Sequence, residues 1–235
     1  LNVFFANFAL IMENLILIDR IIPSKDWATI LFFIGFSIIA INRTIFGVRF
    51  TEFTKLAVSN KYLKIYKDNT NLRNSFTLSF LLVQLLSVTF FVQIALKSFG
   101  IIPIYNFGSF LMILNFVGTF IIGKYLIDKI ISTTFGIEEF SDALNLQKAT
   151  YRNYLGMILL AVDVLLFYND ITNKFIIGSF LIALIATNIL LYIIFIKNNQ
   201  KSIINKVFYF ILYLCTLEIA PYLLLYFWFK DYGAL

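Results

Sequence analysis

The 235-residue sequence contains no histidine and a single cysteine, Cys215. An intrachain disulfide needs a second cysteine, and a His-ligated haem, a His-bearing zinc site and a Ser-His or Cys-His catalytic pair all need imidazole, so each is excluded. Charge is scarce too: Asp, Glu, Lys and Arg make up 14% of the residues, against about 25% in soluble chains. With 60% hydrophobic and 18% aromatic residues and a mean hydropathy of +0.87, too few polar side chains remain to clothe a water-soluble fold. The composition points to an all-α polytopic transmembrane helix bundle, one integral membrane domain over residues 1–235.

The few charges measure the spans, because a helix rising 1.5 Å per residue needs about 20 mostly apolar residues to cross about 30 Å of hydrocarbon. The charge-poor gaps predict six spans at about 27–48, 75–97, 106–127, 153–169, 175–196 and 207–229. Ser24 or Asp26 is placed to cap the first, with Trp27 at headgroup level and Arg43 snorkelling to the interface. Gly100 and Pro103 mark a turn before the third. If the segment between Arg43 and Arg73 is cytoplasmic, Arg20, Lys25, Lys97, Lys174 and Lys230 lie outside and the other fourteen of the 19 basic residues lie inside. That is the positive-inside bias of a bacterial inner-membrane protein, with its C-terminus outside.

Residues 1–22 read as an amphipathic helix in the outer interface, since Asn2, Asn7, Glu13, Asn14 and Arg20 share one arc; a seventh span is the alternative. No basic region precedes this apolar run and no small-residue cleavage site follows it, unlike a secretory signal, and Met12 is an alternative start. The pieces expected outside the bilayer are 49–73 and 130–152. In the first, Lys61, Lys64 and Lys67 suit a surface helix against anionic lipid, or act simply as topological determinants. In the second, Glu138-Glu139 resembles the start of a membrane endopeptidase motif, but the His that chemistry requires is missing. A solvated loop or short helix is expected there.

Two charges escape this topological explanation: Asp163 within the fourth expected span and Glu218 within the sixth. Both are expected near the span centres, where an ionised group costs at least about 2.5–3.5 kcal/mol unless neutral or paired, and such a group faces the bundle interior. Candidate polar partners are Gln84, with Ser87 and Thr77 on one face; Asn115, spaced for Thr119 with Gly108 and Gly118 nearby; Asn188; and Tyr222, which follows Cys215 and Glu218 on one face. Pro221 predicts a kink that frees the carbonyl of Leu217 beside Glu218. Ser179, Ala183 and Thr187 form a small-residue stripe suited to close helix approach. Two readings stay open: hydrogen bonds that cross-link the bundle, or a proton or cation relay or polar cavity.

Ser24-Lys25-Asp26-Trp27, Asn60-Lys61-Tyr62 and the run Tyr213-Leu214-Cys215-Thr216-Leu217-Glu218-Ile219-Ala220-Pro221 resemble an uncharacterised family of small multi-pass inner-membrane proteins of Bacteroidota, known as a domain of unknown function. The resemblance extends from about residue 24 onward. It implies location and fold and carries no assigned reaction or substrate.

The functional expectation is a non-enzymatic accessory or scaffold subunit of a larger membrane complex, whose partners are the lipid bilayer and other membrane proteins. The alternative is a small proton- or ion-coupled transporter using Asp163 and Glu218. An enzyme ranks third, because no activated nucleophile, metal-ligand set or phosphate-binding loop is visible. No cofactor and no metal are expected. The net charge of +6 does not suggest nucleic-acid binding, since the basic residues are spread over helix ends that topology explains.

Overall fold

The computed structural model describes residues 25–57, 62, 75–134, 136 and 138–198. Described residues fold as α1 (Asp26–Ile45), α2 (Gly47–Thr54) with a 3-10 turn (Lys55–Ala57), α3 (Ser75–Ser98), α4 (Phe107–Thr134), α5 (Glu138–Tyr168) and α6 (Lys174–Asn198), and no strand occurs among them. By length and composition, α1, α3, α4 and the Asn145–Tyr168 part of α5 can each cross a membrane, and α6 has a shorter apolar stretch at Lys174–Leu190. The bundle is thus compatible with a membrane protein. Residues 1–22, Lys61, Lys64, Lys67 and the segment 207–229 lie outside the described residues.

Of the helices α1, α3, α4 and α5, each reverses the one before it. Trp27 stacks on Phe90 while Ser79 Oγ donates to Asn42 Oδ1 at 2.9 Å, so α1 and α3 are antiparallel. Gln93 Nε2 reaches Ser109 Oγ at 3.1 Å while Gly118 lies against Leu85, so α4 is antiparallel to α3 in turn. Because α4 returns the chain, α3 and α5 run parallel: Thr77 meets Asn153 near one end and Ser98 meets Thr172 at the other. Lys25, Lys97 and Lys174 therefore share one end of the bundle, here the Lys25 end. Arg43, Arg49, Lys55, Lys124, Lys129, Lys148 and Arg152 belong to the opposite, Arg49 end.

The core is the seam between α3 and α5. On α3 the buried residues Thr77, Phe80, Gln84, Ser87, Phe91, Ile94 and Ser98 recur at steps of three and four; on α5 Asn153, Gly156, Leu160, Asp163 and Phe167 do the same. That spacing keeps one stripe of each helix facing the other at a shallow crossing angle. The closest approach is at Gly156, where a Cβ would lie 2.7 Å from the Gln84 Cα. Only glycine allows the two backbones so near. α1 leans on the same seam through Gly35, whose missing side chain accommodates Leu160.

Aromatic clusters close both ends. At the Lys25 end Trp27, Phe32, Phe90, Phe110 and Phe167 pack ring to ring. At the Arg49 end Phe53, Tyr62, Phe76, Phe80 and Tyr154 pack around α2, and Arg49 donates to Tyr62 Oη at 3.0 Å with its guanidinium over Phe76.

Helix boundaries differ from the sequence expectations at the first span, and one of two alternatives is selected at 130–152. The helix expected over 27–48 breaks at Phe46: Asn42 and Thr44 side chains bond back to the carbonyls of Ile38 and Ile41, competition that weakens a helix end, and α2 restarts at Gly47. α1 opens at Asp26 after Lys25, with no side-chain cap bond. Of the solvated loop or short helix expected within 130–152, the structure shows helix. α4 continues to Thr134 and α5 starts at Glu138, with Gly136 turning between them at φ +63. The paired ends are tied by Asn145 donating to Asp128 and by Lys129 to Asp142 at 3.3 Å. Glu138 opens α5, where a carboxylate is favoured by the helix dipole.

Two glycines test the seam. Gly156→Ala should lower stability by about 1–3 kcal/mol through overpacking, because backbone has to move. Gly123→Ala, where nothing lies within 4 Å, should be neutral or stabilise by up to about 1 kcal/mol. Thermal unfolding of both purified variants in one detergent measures the difference.

Candidate functional site

Asp163 is fully buried in the α3–α5 seam. Ser87 Oγ donates to its Oδ2 at 3.1 Å, while Oδ1 has no hydrogen-bond partner among the described residues. The carboxyl expected near the centre of a span over 153–169 lies in a helix that extends from Glu138 to Tyr168, five residues, about 7.5 Å, from its end at Tyr168. It belongs to the Lys25 side of the bundle.

Polar groups continue along the seam away from that end. Gln84 packs on Gly156, about 10 Å along α5 from Asp163, and Asn153 Nδ2 donates to the Thr77 carbonyl at 3.3 Å. Asn153 Oδ1 again has no partner among the described residues. Towards the Lys25 end, the buried Gln93 donates to the Asn106 carbonyl and to Ser109 Oγ, both at 3.1 Å, binding α3 to the start of α4. The seam offers one carboxyl, one hydroxyl and several amides: groups that hold hydrogen bonds or a proton. Among the described residues no three Asp, Glu or Cys side chains gather as metal ligands.

The other expected partners do not converge on Asp163. Asn115 is exposed on α4, where its Oδ1 accepts a long 3.4 Å bond from Thr119; α4 touches α3 through Phe110 and Gly118, a different face. Asn188 is exposed on α6 and donates back to the Leu184 carbonyl at 2.8 Å. Gly108 meets only the side chain of Asn106, and Ser179 and Ala183 are exposed rather than packed. Glu218, Tyr222 and Pro221 lie outside the described residues. Gly156, Asn153 and Gln93, which the sequence reading passed over, are part of the buried polar set. The step-of-three-and-four recurrence of small and polar residues over 77–98 and 153–167 was the signal for Asn153 and Gly156; Gln93 lies on the other face of α3, toward α4.

Above the seam sits an ion cluster. Asp170, in the turn after α5 at φ +48, binds Lys25 at 2.8 Å and Lys97 at 3.2 Å. Lys25 also donates to the Phe167 carbonyl, and Lys97 lies 3.8 Å from the centre of the Tyr105 ring. Burial pushes the Asp170 carboxyl up, but the hydrogen bonds and charges of Lys25 and Lys97 outweigh it and hold it below its usual range. Tyr105 is pushed up to about 12, by burial first and then by the Asp170 charge.

Because the folded-state pKa of Asp170 is the lower one, its stabilisation is complete above the unfolded value of about 3.9 and is lost as pH falls through the folded value. Asp170→Asn tolerates the left-handed backbone. It should cost less than about 1 kcal/mol at neutral pH, since a half-exposed pair is screened, and the difference from the native protein should close as pH falls through the lowered folded-state value. Melting curves across pH check this.

No curated protein and no solved structure matches the chain. A family model described as a domain of unknown function (DUF4271) matches residues 28–229, most of the sequence, and the chain belongs to that family.

Proposed function

We propose that the chain is a non-enzymatic integral protein of the bacterial inner membrane that serves as an accessory or scaffold subunit of a larger membrane assembly. Six spans would thread it with the Arg49 end in the cytoplasm and the C-terminus outside. The alternating helix directions support that threading, as does the excess of Lys and Arg at the Arg49 end.

The observation that carries the subunit role is the outward face of α4. Within α4 only Phe110, Asp128 and Ser132 are buried, whereas Met112, Asn115, Thr119, Ile122 and Leu126 recur at steps of three and four and are all exposed. An amide and a hydroxyl in the middle of an apolar face are poorly served by lipid, and polar side chains of this kind bind helix to helix, at about 0.6–2 kcal/mol per bond. A helix of a partner protein would satisfy them. Purification in a gentle detergent followed by mass spectrometry should recover a stoichiometric membrane partner, and Asn115→Leu should release it without lowering the melting temperature of the chain itself. A lone monomer from native membranes would overturn the reading.

The second reading, a small proton- or ion-coupled transporter using Asp163 and Glu218, is favoured by one observation: the buried Asp163 oxygen without a partner among the described residues. Buried unsatisfied acceptors call for a proton, water or ion. In vesicles carrying a pH-sensitive dye, a transporter would move protons under an imposed gradient and Asp163→Asn would stop it. Absence of flux from the native protein under every gradient would remove this reading.

A further inference from the structure

Asp163 has no counter-charge in the apolar lengths of the described helices. No Asp, Glu, Lys or Arg occurs in 27–42, 75–96, 107–123 or 175–196, and within 153–169 Asp163 stands alone. The titratable groups at its own end of the bundle are Lys25, Asp26, Lys97, Tyr105, Asp170 and Lys174, and Asp170 follows seven residues after Asp163. The buried carboxyl accepts from Ser87 through Oδ2, and its Oδ1 has no hydrogen-bond partner among the described residues. A metal cation would need several oxygens around it, whereas the seam supplies one carboxyl and one hydroxyl already engaged as a donor; Gln84 packs on Gly156, two turns back along α5. A proton needs a single free oxygen and removes the cost of burying a charge.

Access to that oxygen differs between the two ends. Towards the Arg49 end, Leu160 fills the space over Gly35 and the backbones of α3 and α5 meet at Gly156, a closure that side-chain motion does not open. Towards the Lys25 end, Asp163, Phe167 and Asp170 follow at steps of four and three. The Phe167 ring is buried, and Lys25 Nζ, which binds the half-exposed Asp170, lies 5.3 Å from its centre. One aromatic side chain, which can change rotamer where backbone cannot yield, separates the buried carboxyl from the exposed ion cluster. We propose that Asp163 is a proton-binding site open to one side: its carboxyl carries a proton on Oδ1 in the folded bundle and exchanges it with water at the Lys25 end past the ring of Phe167. The proposal rests on the site of the transport reading and names its ligand.

In the full-length protein in lipid vesicles at neutral pH, infrared spectra should contain the carbonyl band of a neutral carboxylic acid that shifts in D2O and is lost in Asp163→Asn. Because Ser87 donates to Oδ2, Ser87→Ala should move that band to higher frequency without removing it, and this variant carries the test if Asp163→Asn does not fold. After transfer to D2O, Phe167→Leu should speed the isotope shift of the band several-fold, whereas Phe80→Leu, in the aromatic cluster of the Arg49 end, should leave it unchanged. Loss of an ionised-carboxylate band in Asp163→Asn, in place of the acid band, would overturn the proposal. So would a band that Ser87→Ala does not move, or equal exchange in the native protein and Phe167→Leu. The spectra read bound proton and not flux, so a protein that shows the band yet moves no protons keeps this site and loses only the transport reading.

Discussion

The contact of Gly156 with the Gln84 backbone is the constraint from which the rest of the bundle follows. With two helices this close, a side chain at position 156 has no room, and the stripes on either side are brought into register over their whole length. Asn153 then meets Thr77 and Asp163 meets Ser87. α1 is added over Gly35, where Leu160 fills the space a side chain would take. Apolar helices of membrane-crossing length are compatible with this physics, since hydrocarbon competes equally for Leu and Phe and leaves close packing and hydrogen bonds to decide which surfaces associate.

Asp163 takes its character from that packing. In an open cavity a carboxylate could be solvated, but between α3 and α5 it has one hydroxyl donor and no described cation. The charges that are paired sit elsewhere, in the Lys25–Asp170–Lys97 cluster beyond the helix end and in the Lys129–Asp142 tie at the other. The bundle thereby separates two kinds of polar interaction: ion pairs at more exposed positions, and hydrogen bonds among amides, hydroxyls and the buried carboxyls Asp128 and Asp163. Aromatic clusters at Trp27 and at Phe53 lie between these layers and close the seam from both sides.

The family, the helical class and the identity of Asp163 as the anomalous charge were legible in the sequence, because each depends on composition or on local spacing. The helix ends at Phe46, Thr134 and Glu138 were not. Charge gaps report where hydrocarbon could begin, whereas a helix continues past that point as long as side chains such as Asp128, Lys129, Asp142 and Asn145 can pair along it. Asp163 accordingly lies toward the Lys25 end of a helix longer than the expected span. Asn115 and Asn188 looked equivalent to Gln84 in sequence, since each is one amide in an apolar helix, yet only Gln84 faces the seam.

What the sequence by itself determined is the class of environment: no histidine chemistry, too little charge for a water-soluble surface, apolar helices of membrane-crossing length, and two carboxyls that topology does not explain. What only the tertiary structure decided is which helix is central. α3 and α4 are both apolar around their whole circumference, and hydropathy cannot rank them. α3 is buried along its length and α4 is largely exposed, because α3 carries the polar groups at seam spacing and faces the glycine on α5 that lets a backbone approach. In a medium that does not repel apolar surface, burial is set by shape and hydrogen bonding between particular partners, and those are properties of the folded pair.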